Sequence, residues 1–297
     1  MADDLREWLT RVEAAEELKK LDGADWDLEI GCITDLNWKK NGPALLFDSI
    51  KGHTKGWRVL TCSTSTRRRT AITLGLPADL SEKDLLEAVR QRLPEWQAHL
   101  DEFAPKVVRT GPVMENVWSK DEIDLTRFPT PKWHEKDGGR YIGTGHMVIT
   151  RDPDTGEVNL GTYRVMLHDA KTVGIHISPG KHGQLHIQNY HARGQPCPIV
   201  LSLGQHPLMF LLSTMTVPEG DEYAYIGAIR GKPVEVIEEE ITGLPVPADS
   251  EILLAGWCPP GKRRAEGPFG EFTGYYAGGV LQAPIIEVER VYFRNNP

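Results

Sequence analysis

The chain has 297 residues, a formal net charge of −8 and ordinary shares of apolar and charged residues. This length is enough for one large domain or two modest ones with a substantial core. The acidic balance disfavours nucleic acid or an anionic membrane as the main partner. The sequence also contains no apolar run of about 18 residues that would predict a membrane-spanning helix. We therefore expect a globular protein with neither a nucleic-acid nor a membrane partner.

The N-terminal segment is acidic and amphipathic, and it lacks the basic start and apolar core of a signal peptide. The cysteines are far apart and form no CxxC pair; they are Cys32, Cys62, Cys197 and Cys258. Such spacing is more typical of reduced, buried thiols than of a disulfide framework or a zinc site. The sequence therefore predicts a cytoplasmic location.

Apolar periodicity predicts two helices in the first third of the chain. Residues 3–20 carry apolar side chains at three- and four-residue steps. Residues 81–93 show a similar stripe, and Ser81 with Asp84 resembles a capping box at the start of this helix. Strand-like runs separate the two helices, at 43–50 and 57–63.

A domain boundary is predicted near residue 110. Residues 110–141 contain three prolines and little periodicity, so we expect a long extended connection there. The predicted fold class is α/β (α+β), with a small N-terminal α/β domain over 1–110 and a β-rich domain over 111–297.

The second half of the chain is predicted to be mostly strand. Residues 141–169 have the pattern of a hairpin around an Asp-Pro-Asp-Thr-Gly turn. A helix is predicted from His206 to about Thr214, whereas Glu222 is expected to begin a strand after an acidic turn. Glutamates 238–240 are expected to form a solvated strand edge. The further predicted strands are 172–178, 194–204, 224–231, 234–242, 250–258 and 283–293.

Two carboxylates, Glu266 and Glu271, flank Gly-Pro-Phe-Gly in "RRAEGPFGEFTGYY". Pro268 and the two glycines exclude a regular helical turn, so the acids lie on a turn of fixed shape. Taken alone, the segment is typical of a surface loop with mixed charge, and this alternative stays open.

Several polar residues of the second half suit a cation site, although each has an ordinary structural alternative. Asn159 and Arg164 are five apart, so a regular strand would point them to opposite faces unless the chain bends locally. His182 is expected to lie in a glycine-rich loop after a strand, where a lone histidine is more often incidental, and Glu222 alone would be a solvated turn acid. No Walker loop, dinucleotide fingerprint, GxSxG or HExxH motif is present.

Five segments together resemble the UbiD family of reversible decarboxylases, which use prenylated FMN. They occur in order over residues 138–276. Each is modest alone, but the set with compatible spacing is specific. The resemblance implies that the second domain is a split-barrel-like flavin-binding domain. The segments are "GGRYIGTG", "DPDTGEVNLGTYR", "SPGKHGQLH", "STMTVPEGDEYAYIGA" and "EGPFGEFTGYY".

The resemblance also implies the site residues. A divalent cation, Mn²⁺ or Mg²⁺, would grip the cofactor phosphate with Asn159, His182 and Glu222, and these donor types suit such a cation. A K⁺ ion held largely by backbone carbonyls is implied as well. Arg164, Glu266 and Glu271 match the family's Glu-Arg-Glu triad, and Arg164 would also contact the cofactor. The flavin and its phosphate would be lined by Thr144, Ser213, Thr214 and Met215.

The activity implied by the resemblance is the non-oxidative decarboxylation, or carboxylation, of an aromatic, heteroaromatic or α,β-unsaturated carboxylic acid. The cofactor takes up the electrons released when CO₂ leaves. Glu271 resembles the acid that delivers a proton to the carbon, and Glu266 would be ionised beside Arg164. A flavin prenyltransferase would supply the cofactor.

The chain departs from the family pattern because it lacks the C-terminal domain that mediates oligomerisation. We expect a naturally short protein, a piece of a longer chain, or a core completed by a separate subunit, with a homo-oligomer or a second subunit as partner. Two alternative functions stay open: an FMN-binding, reductase-like protein, and a cofactor-binding core subunit that is inactive without its partner.

Overall fold

A computed structural model describes residues 3–218 and 220–297. In these residues the chain forms seven α-helices and sixteen strands, together with short 3-10 turns. The helices are α1 (Leu5–Ala14), α2 (Glu29–Trp38), α3 (Arg67–Thr73), α4 (Glu82–Ala98), α5 (His182–Ala192), α6 (Pro207–Ser213) and α7 (Glu222–Arg230). Among the described residues, no helix is long and apolar enough to cross a membrane.

The strands alternate with these helices in the first third and then dominate the chain. They are β1 (Leu18–Asp22), β2 (Ala44–Asp48), β3 (Val59–Thr61), β4 (Lys106–Val107), β5 (Asn116–Ser119), β6 (Arg140–Gly143), β7 (Met147–Arg151), β8 (Val158–Gly161), β9 (Val165–Leu167), β10 (Thr172–Ile175), β11 (Cys197–Leu203), β12 (Glu235–Glu238), β13 (Pro245–Pro247), β14 (Ile252–Cys258), β15 (Arg263–Glu266) and β16 (Leu281–Phe293).

A small sheet of order β1-β2-β3 organises the N-terminal part. Helix α1 packs on it through the fully buried Trp8 and Val12. The indole Nε1–H of Trp8 donates to Thr73 Oγ1 of α3 at 2.9 Å, which ties the two helices together. Burial of this apolar face is what holds so short a helix in place.

The predicted helix over 3–20 is too long. Helix α1 ends at Ala14, Glu16 has a positive φ of 59°, and β1 begins at Leu18. Leu18 continues the apolar periodicity, but it belongs to a strand that pairs in parallel with β2 and packs on the same core. The apolar pattern therefore predicted correctly that Leu18 packs on the core, but wrongly that it lies in a helix.

Helix α4 confirms the predicted cap and extends beyond the predicted end. The side chain of Ser81 accepts a hydrogen bond from the backbone N–H of Asp84 at 3.1 Å. The helix continues to Ala98 with Pro94 inside it.

The large sheet of the second half contains ten strands, in the order β6-β9-β10-β16-β14-β11-β7-β8, with β5 and β15 pairing with β16. Every pairing within it is antiparallel. Along β7, Met147 and Ile149 join one apolar core while Val148 joins another, as the two-residue period of a strand requires. Both faces of the sheet are therefore buried, and the predicted mixed fold class with a β-rich second domain is confirmed.

The predicted connection over 110–141 is irregular but includes β5 and three 3-10 turns. Before it, β4 already pairs in parallel with β12 of the second half. The boundary at residue 110 stays a prediction.

The predicted strand at 224–231 is wrong, because these residues lie in α7. Glu222 is the first residue of this helix, and Gly231 ends it with a φ of 73°. Residues 222–228 are all buried, so the segment is apolar on every side and lacks the periodicity that distinguishes a helix from a buried strand.

The expectation that glutamates 238–240 form a solvated edge is wrong for Glu239. Its side chain is buried, accepts the backbone N–H of Thr242 at 2.7 Å and accepts the hydroxyl of Tyr292 at 2.8 Å. It holds a turn against β16.

The four cysteines are free thiols, as expected, but only two of them are buried. Cys197 and Cys258 face each other across β11 and β14, whereas Cys32 is exposed and Cys62 is half-buried.

Candidate active site

Arg164 and Glu266 form a two-pronged ion pair. Glu266 is the last residue of β15, and Arg164 lies in the break between β8 and β9. Arg164 Nε donates to Glu266 Oε1 at 2.8 Å, and Nη2 donates to Oε2 at 2.9 Å. The carboxylate side chain is fully buried, whereas the guanidinium side chain is 18% exposed. This planar arrangement is the strong form of a carboxylate pair.

Glu271 lies on the same guanidinium but is held more loosely. Its Oε1 is 3.5 Å from Arg164 Nη1, and its side chain is 31% exposed. A short loop after the turn fixes its backbone, because its N–H donates to the carbonyl of Tyr275 at 2.9 Å. The structure therefore brings the predicted Arg164, Glu266 and Glu271 together, with one acid buried and the other near solvent.

Two aromatic residues pack against the acid cluster of Arg164, Glu266 and Glu271. The hydroxyl of Tyr141, on β6, donates to Glu266 Oε1 at 3.0 Å. The ring of Phe269 lies 4.5 Å from the ring of Tyr141, and the guanidinium carbon of Arg164 is 5.4 Å from the Phe269 ring centre. The apolar rings exclude water from the buried acid, which strengthens its hydrogen bonds.

The cluster has a defined charge pattern. Burial lowers the pKa of Arg164, but the hydrogen bonds and charge of Glu266 outweigh it and raise that pKa overall. Burial, followed by the Glu266 carboxylate, raises the pKa of Tyr141, so its hydroxyl stays protonated and remains a donor. Burial and the Arg164 charge lower the pKa of the nearby His176, which favours its neutral form.

The turn between the two acids is held from the opposite side by residues 137–141. The side chain of Asp137 accepts the N–H of Gly270 at 2.8 Å, and the N–H of Gly138 donates to the carbonyl of Pro268 at 2.9 Å. A Cβ atom on Gly138 would lie 2.0 Å from the carbonyl oxygen of Gly267, so glycine is required for this approach. The turn over residues 266–271, here called the acid turn, is thus held by contacts with residues 137–141, which are distant in sequence.

Asn159 and Arg164 do not lie on one continuous strand. Strand β8 ends at Gly161 and β9 begins at Val165, so the intervening residues are not in a regular strand. This break resolves the odd five-residue spacing that a continuous strand would not have allowed.

Hydrogen bonds connect the segments that carry the predicted cation-site residues. Asn159 Nδ2 donates to the Tyr163 hydroxyl at 3.4 Å, and the N–H of Gly183, next to His182, donates to the same oxygen at 3.3 Å. The Oε1 atom of Glu222 accepts the N–H of Leu160 at 3.2 Å. These bonds link β8, the first turn of α5 and the first residue of α7.

Asn159 and Glu222 are buried, and His182 is the first residue of α5 rather than part of a loop. Within residues 3–218 and 220–297, no group of three His, Cys, Asp or Glu side chains could hold a metal ion. The predicted set combines two such side chains with an amide, so it falls outside that pattern. Its oxygen and nitrogen donors fit a hard-to-borderline divalent cation.

The residues predicted to line the flavin lie near the β6–β7 turn and the end of α6. Ser213 is buried, and its hydroxyl is 2.6 Å from that of Thr162, which also contacts the carbonyl of His146 at 3.0 Å. Thr144, Thr214 and Met215 are exposed.

A cavity of about 450 Å³ lies between the small sheet and the β6–β7 edge, and Thr144 and Tyr141 are on its wall. The three residues of the acid cluster do not line it. The cavity wall carries ionisable side chains of its own, including Arg58, His146 and Glu251, but only the acid cluster places two carboxyl groups on one guanidinium.

Sequence reasoning missed four residues of this region: Asp137, Tyr141, Thr162 and Tyr163. Three of them, Tyr141, Thr162 and Tyr163, lie inside segments that carry the family resemblance, but nothing in their spacing indicated a partner. Each acts on a residue distant in sequence or through its backbone, so no local pattern could have identified the contact.

Comparison with known proteins identifies the family. A family model described as the 3-octaprenyl-4-hydroxybenzoate carboxy-lyase Rift-related domain matches residues 106–297. A second, described as the N-terminal domain of the same carboxy-lyase, matches residues 9–89. This chain belongs to the UbiD family. The resemblance found in the sequence is therefore confirmed.

Relatives of this UbiD-family chain include enzymes of known activity. It is 35% identical over 281 residues to a pyrrole-2-carboxylic acid decarboxylase of Pseudomonas aeruginosa, covering 92% of this chain and 56% of that protein. It matches the closed form of a vanillic acid decarboxylase (ShVdcCD) of Sedimentibacter hydroxybenzoicus with a TM-score of 0.90 and 31% identity, covering 100% and 63% of the two chains.

An evolved dimeric form of HmfF from Pelotomaculum thermopropionicum, in complex with prFMN, matches with a TM-score of 0.86 and 30% identity. The match covers 100% of this chain and 66% of that one. The chain thus spans less than two thirds of the length of these relatives.

Proposed function

We propose that this chain is the catalytic core of a prenylated-FMN-dependent enzyme that decarboxylates or carboxylates an aromatic, heteroaromatic or α,β-unsaturated carboxylic acid. The observation that carries the proposal is the pair of acids on Arg164, of which Glu266 is buried and tightly bound and Glu271 is half-exposed and loosely bound. Family membership and the decarboxylase names of the relatives support it.

The two acids have settings suited to different tasks. Prenylated FMN, when bound, supplies the electron sink that makes CO₂ loss feasible. Glu266, ionised and paired with Arg164, holds the guanidinium in place. The Nη1 atom of Arg164 then faces Glu271. Glu271 holds the proton and delivers it to the carbon that lost CO₂, since it is close to solvent and lightly bonded.

Asn159, His182 and Glu222 would hold a divalent cation, Mn²⁺ or Mg²⁺, that binds the cofactor phosphate. The fit rests on their donor chemistry and on the hydrogen bonds that link their three elements. Thr144, Ser213, Thr214 and Met215 would line the flavin, and a K⁺ ion would be held largely by backbone carbonyls.

The proposed partners follow from this chemistry. A small carboxylic acid is the substrate, and a flavin prenyltransferase supplies the cofactor in the cytoplasm. A homo-oligomer is also proposed, since one relative is described as a dimeric form.

A direct test is to produce the protein together with a flavin prenyltransferase and record the mass and visible spectrum of the bound flavin. CO₂ release and H/D exchange at the carboxylated carbon are then measured with pyrrole-2-carboxylate, vanillate and cinnamate. We expect prenylated FMN to bind and at least one acid class to react. Binding of plain FMN with NAD(P)H oxidation, and no need for the prenyl group, would instead support the reductase-like alternative.

A second candidate is a core subunit that binds the cofactor but needs another polypeptide for turnover. The partial coverage of the relatives supports this second candidate, because the chain matches only 56% to 66% of their length. The remaining part of such an enzyme would then come from the other polypeptide. Sizing with mass detection, and activity that is restored only by a second polypeptide, would distinguish it.

A further inference from the structure

The buried acid of the cluster has three hydrogen-bond donors on two oxygens. Arg164 supplies two of them, and the Tyr141 hydroxyl supplies the third, at 3.0 Å from Oε1. The Glu266 side chain has no solvent-exposed surface. A carboxylate in such a place is tolerated when it is paired and its oxygens are satisfied.

We propose that Tyr141 is a positioning residue that keeps Glu266 ionised and two-pronged on Arg164, and so reserves the exchangeable proton of the cluster for Glu271. The inference rests on the proposed function, because it assigns a further residue to that same site.

The geometry makes the Tyr141 hydroxyl a dedicated donor. Tyr141 is 1% exposed on β6, and its ring is held against Phe269. The alternative acceptor, the carbonyl of Pro268, is 3.4 Å away, against 3.0 Å for Glu266 Oε1. Since the ring is fixed, the hydroxyl stays within reach of the acid, and Glu266 Oε1 is the nearer of its two acceptors.

Without the Tyr141 hydroxyl, the surrounding charges do not decide whether Glu266 or Glu271 holds the proton. The Arg164 guanidinium contacts both carboxyl groups. Which of the two acids holds a shared proton therefore depends on their other hydrogen bonds. The other titratable groups that face Glu266 or its partners are Asp137, His168 and His176. Burial lowers the pKa of both histidines, so neither adds a cation near neutral pH.

A hydrogen bond to a charged group biases such an equilibrium by about tenfold or more. In Tyr141→Phe the ring remains and this bias disappears, so Glu266 takes up a proton more readily. We expect the acidic limb of the kcat/KM profile to move to higher pH by about one unit, with a loss of about tenfold on that limb and little loss on the plateau above it. A uniform loss at every pH would indicate a merely structural role.

Tyr292→Phe is a matched control. Its hydroxyl also donates to a buried glutamate, Glu239, at 2.8 Å, and it lies on β16. This variant should lose a comparable hydrogen bond and some stability while leaving the acidic limb where it is. A limb that moves equally in both variants would overturn the proposal.

A second readout uses the protein without flavin, so that it does not depend on the proposed reaction. With ¹³C-labelled glutamate side chains, the Glu266 carboxyl signal is assigned by its loss in Glu266→Gln and followed with pH. We expect Tyr141→Phe to move its titration to higher pH. An unchanged titration would overturn the inference, whereas failure of the wild type to bind prenylated FMN would overturn the proposed function alone.

Discussion

Two glutamates five residues apart have opposite environments, and the proposed reaction depends on this difference. Glu266 is fully buried and receives three donors, whereas Glu271 is 31% exposed and contacts one guanidinium nitrogen at 3.5 Å. A buried, fully bonded carboxylate favours a fixed charge, and a loosely held one can exchange protons with water. In the proposed reaction, the same residue type thus serves two tasks.

Removing the loosely held acid should stop turnover without removing the cofactor. In Glu271→Gln, we expect at least a hundredfold loss of CO₂ release because no acid remains at that position to deliver the proton. Bound flavin, measured by its visible spectrum, should stay close to the parent level.

The control for this change is Glu240→Gln, which alters an exposed glutamate paired with Arg290 on β16. It should retain parental turnover. Full activity of Glu271→Gln on every accepted acid would show that the proton comes from another group.

The predicted cation ligands can be tested separately from turnover. His182→Ala should lose most of its divalent metal, measured by elemental analysis of purified protein, and should bind flavin more weakly. His99→Ala is a suitable comparison because His99 is exposed and pairs with Glu102. Unchanged metal content in His182→Ala would refute the ligand assignment.

The sequence indicated the acids and Arg164, because their family pattern is local and carries distinctive residues. It did not indicate Tyr141, whose contact with Glu266 spans 125 positions of the chain. It also led to an error at Glu239, since three consecutive glutamates look solvated while one of them turns inward. Burial of a single polar side chain depends on its tertiary partners, which a local pattern does not contain.

At the scale of elements, the acid turn depends on a second segment that carries no acid of the cluster. Residues 137–141 hold the turn through Asp137, the Gly138 backbone and Tyr141. The acid turn begins at the last residue of β15 and beyond it has no regular secondary structure of its own. The hydrogen bonds from residues 137–141 therefore hold its shape.

Loss of this support should lower both stability and turnover. In Asp137→Ala the buried N–H of Gly270 loses its acceptor, which costs about 1–3 kcal/mol. We expect a lower Tm and a reduced kcat with flavin still bound, because Glu271 follows Gly270 directly.

A matched comparison is Asp124→Ala, which removes an acceptor from an exposed turn. Its Tm should change by much less, and its turnover should be parental. An Asp137→Ala variant with parental kcat would show that the Glu271 loop holds its own shape.

The elements that the sequence predicted correctly are those with a clear period or a cap. The hairpin of β7 and β8, and the capped start of α4, have such signals. Helix α7 lacked such a signal because it is buried on almost every side. Strand β1 was misleading because Leu18 continues the three- and four-residue spacing of α1 by chance. Family resemblance located the site residues but did not report these local conformations.

At the scale of the whole molecule, the N-terminal helix is tied to the large sheet by a buried network of charges. Asp4, at the cap of α1, accepts from Arg294 at 2.9 Å, and Arg294 also contacts Glu251 at 3.3 Å. Asp249 lies in this region without a hydrogen-bond partner for its Oδ1 atom among the described residues. Burial raises the pKa of Asp249 to about 6, from an ordinary value of 3.8.

This carboxyl should make stability fall as the pH rises. Between about pH 4 and 6 the folded chain keeps the proton on Asp249 while the unfolded chain loses it, so folding is favoured more at the lower pH. Asp249→Asn should remove this component and raise the free energy of unfolding by about 2 kcal/mol at pH 7.5, with little change at pH 4.

Urea unfolding of both proteins at the two pH values measures the effect. Asp101→Asn, at an exposed position, serves as the comparison and should change neither value. Equal stability of Asp249→Asn and its parent at pH 7.5 would show that the charged carboxylate is accommodated without cost.

The loop that follows the acid turn has a consequence for how such an enzyme can change. Phe272 and Tyr275 are 74% and 59% exposed, and Phe272 contacts the ring of Trp38 in α2 edge-on at 6.2 Å. The buried Glu266 and its supports carry the strict geometric demands, whereas these neighbours are free of them. Substitutions of the Phe272 and Tyr275 side chains retain the backbone hydrogen bond from Glu271 to the Tyr275 carbonyl. A laboratory-evolution library aimed at new substrates should therefore begin with these two side chains and with the facing residues of α2.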